Sequence, residues 1–185
     1  GGTDKSVYRA SFNYRDVQGV LNHSGFKQLN GRLNLTQKAL RDRFVFNLSL
    51  GATSRESQFS FQDAFGYAAI YNPTAPVKSD DPSFDQYDGY FQQMVFEYYN
   101  PVSLVELNKN EGNSRLLNIS AKGAYEFFRG FKVDVLYSLE SGNSLSGIYY
   151  DKNHYYDGYY RNGLASRSEK NSVSQLFETT AHWNA

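Results

Sequence analysis

The tyrosine pairs Tyr149-Tyr150, Tyr155-Tyr156 and Tyr159-Tyr160, with Asp151, His154 and Asp157 between them, are the densest run of chemistry-bearing side chains in this sequence. Tyrosine offers a large, rigid contact area at low entropic cost, and a hydroxyl at its end. Such a run suits non-covalent grip. It could stack on sugars, hold a peptide or pack against a partner protein. It suits packing against neighbouring loops equally well, and the residue types alone leave all four readings open.

Other candidates are sparser. Arg9, Arg15, Arg32 and Arg55 stand among Ser, Asn and Thr residues and would face water. Asp80, Asp81, Asp85 and Asp88 form an acidic stretch. Oxygen-rich loops can take calcium, but this spacing does not match an EF-hand, and a solvated acidic loop is the favoured reading. His23, His154 and His182 form no metal-binding pair at helical spacing. Residues 142–147, Gly-Asn-Ser-Leu-Ser-Gly, do not form a nucleophile elbow. There is no phosphate-binding glycine loop. With no cysteine, thiolate metal sites, thiol nucleophiles and disulfides are excluded. Neither catalysis nor a cofactor is expected. The net charge of zero argues against nucleic acid as a partner.

The elements that would position these residues alternate with period two, the mark of strands with one greasy and one wet face. Residues 8–15 set Tyr8, Ala10, Phe12 and Tyr14 against Arg9, Ser11, Asn13 and Arg15. Residues 28–36 set Leu29, Gly31, Leu33 and Leu35 against Gln28, Asn30, Arg32, Asn34 and Thr36. The pattern is clearest at Phe44, Phe46, Leu48, Leu50 and Ala52, interleaved with Val45, Asn47, Ser49, Gly51 and Thr53. Further runs follow at 117–127, at 131–139 and from about Ser174, where Phe177, Thr179, Ala181 and Trp183 share a side. Each complete run is near the roughly 9–11 residues of a tilted membrane strand.

The connections predict a membrane barrel over a soluble sandwich. Links at 38–43 and 128–130 are short; those at 17–25, 56–114 and 141–171 are longer. Short turns at one end and long loops at the other are typical of outer-membrane barrels. A loop of nearly sixty residues would be out of place in a compact soluble domain. Phe44, Phe46, Tyr125, Phe127, Phe128 and Phe131 cluster beside the short turns, as an interfacial aromatic girdle would. Aromatic residues make up 17% of the chain, yet mean hydropathy is −0.62. No apolar run approaches the roughly 18 residues of a transmembrane helix. Two short loop helices are predicted: residues 62–69, with Asp63 in the first turn, and a second starting at Pro101 with Asn100 as cap. The second would present Val102, Leu104, Val105 and Leu107, either to a partner or inward, folding the loop over the barrel mouth.

About six strands cannot close a membrane barrel, whose smallest bacterial form has about eight. An open sheet in lipid would leave unpaired edge amides. The chain begins in a turn at 1–5 and stops at Ala185 within a predicted strand. The fold expected is therefore all-β, residues 1–185 forming a segment of a large transmembrane antiparallel β-barrel with long extracellular loops. Several copies sharing one barrel is the lesser alternative.

Particular strings carry a family resemblance. Gly1-Gly2-Thr3-Asp4-Lys5 followed by Tyr8-Arg9-Ala10-Ser11-Phe12-Asn13-Tyr14 resembles the early barrel of SusC/RagA-type TonB-dependent transporters. So do Gly25-Phe26-Lys27 leading into Gly31-Arg32-Leu33-Asn34-Leu35, and the loop strings Tyr71-Asn72-Pro73-Thr74-Ala75-Pro76 and Tyr99-Asn100-Pro101-Val102. The resemblance implies a multi-pass barrel of roughly 22 strands in the outer membrane of Bacteroidetes-type bacteria. It implies TonB-dependent active import of glycan oligosaccharides or peptides, with a SusD-like surface lipoprotein as partner. The plug and TonB box of such proteins are not visible in these residues. By the same resemblance, Arg9, Arg15, Arg32 and Arg55 would border the solute path or contact the plug. A passive porin-like barrel and a secreted carbohydrate-binding β-sandwich are the alternative functions.

Overall fold

The computed structural model describes residues 1–95 and 98–184. Six strands form one antiparallel sheet in chain order: β1 (Ser6–Gln18), β2 (Ser24–Ala39), β3 (Phe44–Phe59), β4 (Asn108–Phe128), β5 (Phe131–Tyr150) and β6 (Leu164–Trp183). Each strand pairs with the next, and β1 and β6 are open edges. The sheet does not close, and no second sheet packs on it among the described residues.

The register explains why alternation fixes this arrangement. Tyr8, Leu35, Leu48, Ala121, Tyr137 and Phe177 lie in one row across the six strands. The next row toward the long loops is Ala10, Leu33, Leu50, Ile119, Leu139 and Gln175. Side-chain direction repeats every two residues, so a one-residue slip would turn each row inside out. From the row of Phe44 to that of Ala52 the belt runs about 27 Å along the strands. An apolar band of a membrane barrel is about 25 Å tall. One row further on, at Ser54, Arg115, Asn143 and Asn171, it ends in polar groups.

The belt is not sealed in a protein interior. Phe12 is 72% exposed and Phe177 69%, while Phe46, Leu48 and Leu50 are half-buried by their strand neighbours. The opposite face is wet and laddered. The Thr36 hydroxyl donates to Asn47 Oδ1 at 2.8 Å, that of Ser49 to Asn34 Oδ1 at 2.8 Å and that of Thr53 to Asn30 Oδ1 at 2.9 Å. Apart from Ala124, the buried apolar residues lie in the loops, where Phe61, Ala64, Leu104 and Val105 make a small core.

At the short-turn end, Tyr125, Phe127, Phe128 and Phe131 meet with ring centroids 4.7–5.9 Å apart, and Trp183 joins them from β6. Phe44 and Phe46 share the belt face of the first turn. Gly130 carries the tight reversal at φ 88°; a Cβ there would collide with the Asn184 carbonyl oxygen. Ala185 lies outside the described residues.

Several boundaries differ from those expected. The long loops are residues 60–107 and 151–163 instead of 56–114 and 141–171, and β6 starts at Leu164 instead of near Ser174. The added lengths, at 108–116, 141–150 and 164–173, are rich in Ser, Asn and Gly and show no greasy face. There the backbone ladder extends the register inherited from the belt, a continuation side-chain alternation does not reveal. β4 reaches 21 residues, well past the lipid requirement. The β1–β2 link is a tight 19–23 turn, so the alternation of short and long connections is weaker than expected.

Candidate functional site

Both long loops fold together at the end of the sheet away from the short turns, forming a cap. Local rules build it. Asn100 caps α2 (Pro101–Glu106): its Oδ1 accepts from the amides of Val102 and Ser103 at 3.1 and 3.4 Å, and Pro101 fills the first turn. Asn72 likewise organises its Asn-Pro turn, accepting from the Thr74 amide and hydroxyl at 3.0 and 2.9 Å. The first helix, α1 (Ala64–Ile70), starts two residues later than expected, and Asp63 sits at its N-cap without a side-chain cap bond. Leu104 and Val105 of α2 are buried beside Phe61 and Ala64, while Val102 remains exposed. The inward-folding reading of that helix therefore describes Leu104 and Val105.

The tyrosine pairs are split by this architecture. Tyr150, on the wet-face side of β5, packs edge-on to Phe61 at 6.2 Å; Tyr149 points the other way, its hydroxyl donating to Asp151 at 3.3 Å. From residues 151–163, Tyr155 meets Tyr87 at 4.9 Å and Tyr99 at 5.7 Å. Tyr156 meets Tyr99 at 5.2 Å and Phe61 at 5.3 Å. Tyr159 meets Tyr87 at 5.0 Å and donates from its hydroxyl to Gln86 Oε1 at 2.8 Å. These contacts hold the 151–163 loop against the 60–107 loop. Tyr160, 72% exposed, remains the most open of the six, and Tyr149 and Tyr156 keep part of their rings in solvent. Tyr87 is nearly buried, and desolvation, then the neighbouring tyrosines, push its phenol up to about 12, so it stays neutral.

His154, in the sequence only one of the polar residues between the tyrosine pairs, is the centre of this packing. It is fully buried between Phe61, Tyr150 and Tyr156. Its Nδ1 accepts from the Asp157 amide at 3.5 Å, so the proton sits on Nε2, which donates to the Leu104 carbonyl at 3.3 Å. Burial holds the imidazole below its ordinary 6.5, against the pull of Asp157 and Asp151. An undocked loop therefore takes up a proton that the docked loop resists. Docking is strongest above about pH 6.5 and weakens as pH falls through that value. A second latch has a separate window. Glu106 at the end of α2 accepts from His23 Nε2 at 3.0 Å and Asn22 Nδ2 at 3.4 Å, and these bonds hold its carboxyl below 4.5. The expected result is faster hydrogen exchange at the Asp151 and Leu107 amides at pH 5.5 than at 7.5, corrected for intrinsic rates. His154→Gln should flatten that dependence, and an unchanged dependence in the variant would exclude His154 as its source.

The remaining candidates are dispersed. Asp81 accepts from the Ser83 amide at 2.9 Å and starts the 3₁₀ turn Pro82–Tyr87; Asp88 pairs with Lys78 at 3.6 Å. Among the described residues, no cluster of three or more His, Asp and Glu is arranged to hold a metal. His23, His154 and His182 each have their own partner. Arg9, Arg15, Arg32 and Arg55 all fall on the wet face. Arg32 lines a groove of about 570 Å³ there, with Asn34, Ser49, Asn118, Ser138 and Glu140. Arg55 stacks over Phe26 at 4.0 Å. A larger groove, about 1180 Å³, has Tyr149 on its wall among Asp16, Lys27, Glu56 and Glu111.

No protein-family model matches the chain. In sequence it is 25% identical over 131 residues to the TonB-dependent receptor SusC of Bacteroides thetaiotaomicron, a match covering 62% of this chain and 13% of SusC. In structure it is similar to the RagAB peptide transporter, with TM-score 0.72 and 15% identity over 99% of this chain and 21% of that one. The RagAB peptide importer in its 'closed-closed' state matches at TM-score 0.70 and 16% identity, with the same coverage. The chain thus spans about a fifth of the solved chains it matches. The sequence match supports the resemblance to SusC, and the structural matches show that the open sheet has the fold of a segment of a large antiparallel β-barrel.

Proposed function

We propose that residues 1–185 are part of the single barrel domain of a TonB-dependent importer in a bacterial outer membrane. The supporting observation is the two-faced sheet. A lipid-height apolar belt on one face, a laddered polar face behind it and a folded cap at one end are what a wall of a solute channel requires. Similarity to SusC and RagAB supports placing that wall in a transporter. The greasy face lies against lipid, the wet face lines the lumen, and the cap covers the external mouth. Oligomeric nutrients, glycans or peptides, pass unchanged, so no covalent chemistry is assigned to these residues. A plug and TonB box outside this segment couple passage to inner-membrane energy. A SusD-like surface lipoprotein docks on the cap, where Tyr160 and Tyr156 are available to it. A free-standing β-sandwich does not fit an open sheet on which no second sheet packs among the described residues.

The test is uptake of labelled oligomers by cells bearing the full-length protein. Uptake should fall to background when the proton-motive force is collapsed or TonB is removed. Uptake that persists under both treatments would favour a passive pore. In the same cells, Tyr156→Ala/Tyr160→Ala should weaken recovery of the lipoprotein with the barrel by about tenfold, the scale of losing one or two exposed aromatic contacts. Recovery equal to the native protein would remove those tyrosines from the docking surface.

A further inference from the structure

The wet face is electrically uneven along its length. From the row of Arg9 to the capped end, the strands turn Arg9, Arg15, Arg32, Arg55 and Lys170 to this face, against Glu140 as its acid. None of those five cations has an ion-pair partner among the described residues. Toward the short turns the same face is balanced. Lys122 and Lys132 lie 3.3 and 3.1 Å from the nearly buried Asp134, His182 sits 3.5 Å from it, and Glu126 and Glu178 offset the remaining charge. Acids are therefore available to this fold where cations are to be neutralised, and they are missing from the half beneath the cap.

The cations are also placed to act together. Arg15, Arg55 and Lys170 share one row. Arg15 and Arg55 are two strands apart, roughly 10 Å. Arg55 is held on this face by its stack on Phe26 and by an Nε bond to Ser57 Oγ at 3.1 Å. Arg32, two rows below, opens into the 570 Å³ groove. Between the charges stand Asn13, Gln28, Asn30, Asn34, Ser114 and Ser144, hydrogen-bonding groups that carry no charge of their own. A concave wall of one sign focuses the field and concentrates counter-ions, and guanidinium forks pair with carboxylate or sulfate oxygens two at a time.

We propose that the cargo is an anionic oligomer, a chain carrying repeated carboxylate or sulfate groups, selected by Arg9, Arg15, Arg32, Arg55 and Lys170. This rests on the importer reading and deepens it. Glu140 is the opposing element: it sits across the groove from Arg32 and disfavours close approach of anions there.

The test uses the purified full-length protein in detergent, with hexagalacturonate, hexaglutamate and maltohexaose as probes in calorimetric titration. At least one of the two anionic chains should bind more tightly than maltohexaose, and which of them does so separates a glycan source of the charge from a peptide source. Its affinity should fall steeply with added salt, as unscreened surface charges require. Arg15→Gln/Arg32→Gln/Arg55→Gln should weaken it by roughly tenfold or more. The corresponding Arg→Lys triple variant should bind with an affinity between those of the Gln variant and the native protein, since lysine keeps the charge and loses the guanidinium fork, and Glu140→Gln should strengthen binding. Equal binding of neutral and anionic chains, or binding of none of the three, overturns the proposal. Energy-dependent uptake of maltohexaose, undiminished in the Gln variant, would overturn it while leaving import intact. Absence of energy-dependent uptake for every oligomer would instead defeat the importer reading.

Discussion

Leu48→Arg is expected to cost the barrel about 2–4 kcal/mol, the penalty of a basic side chain at the middle of a bilayer. Ser49→Arg, one residue on, is expected to cost little. Leu48 lies in the middle row of the apolar belt, between the rows of Phe44 and Ala52. Its row neighbours Leu35 and Ala121 offer no acceptor for a guanidinium. Ser49 is exposed on the opposite face, among Asn34 and Ser120. There an arginine gives up one hydroxyl bond to Asn34 and stays in water. The two substitutions introduce the same side chain at adjacent positions, so strand propensity and expression level cannot separate them; only the solvent on each face can. At about 1.4 kcal/mol per decade, the difference is roughly 30- to 1000-fold in the folding equilibrium. It would be read from denaturant unfolding of the full-length protein in lipid vesicles, and from the amount of heat-modifiable barrel in the outer membrane. Equal loss in both variants would mean the two faces meet the same surroundings, and greater loss for Ser49→Arg that the faces are assigned the wrong way round.

That contrast depends on the part of the fold most legible in the sequence. Alternation at 44–53 names the belt residues one by one, because a strand with lipid on one side and water on the other has to choose a residue type at every step. The register follows, since a displaced strand would put arginine in lipid. Legibility ends where the second solvent changes. Past Ala52 both faces of the hairpins meet water, the greasy signal stops and the strands do not, so 108–116 and 141–150 read as loop. The cap was legible only through its punctuation. Asn100-Pro101 announces a helix start, and the structure has one there. The burial of His154 depends on Phe61 and Leu104, tens of positions away in the chain, which no local pattern records. For the same reason the tyrosine pairs identify a sticky loop without stating that Tyr155 and Tyr159 close on Tyr87. The cationic bias of the wet face was present as separate arginines; it becomes a property of one surface only when the register sets them side by side.

The cap should respond to a single amide as strongly as the belt responds to a single charge. Asn100→Ala is expected to undock the 60–107 segment while the strands stay assembled. Asn100 is 1% exposed and uses its whole side chain. Oδ1 caps α2, and Nδ2 donates to the carbonyls of Val77 at 2.8 Å and Phe91 at 3.0 Å, tying the helix start to two distant stretches of the same loop. Its own amide donates to Gln92 Oε1 at 3.2 Å, and Gln92 in turn donates to Ser103 Oγ, whose hydroxyl donates to the Asn100 carbonyl at 2.8 Å. Losing the cap costs about 1 kcal/mol. Losing the two Nδ2 bonds costs about 1–3 kcal/mol together, although each carbonyl keeps another donor, Val77 the Phe91 amide at 3.1 Å and Phe91 the Tyr71 hydroxyl at 3.3 Å. The sum, about 2–4 kcal/mol, is large against an apolar core built on Phe61, Ala64, Leu104 and Val105. Asn100→Asp is the informative companion. It keeps the acceptor that caps the helix but places a carboxylate against two carbonyl oxygens, so it should undock the segment as fully as alanine does. Limited proteolysis of the full-length protein would show cleavage within 60–107 at least tenfold faster in both variants, by the same decade rule, with heat-modifiable migration unchanged. Cleavage at the native rate in Asn100→Asp would reduce the residue to a helix cap and assign the joining of the loop to the aromatic contacts alone.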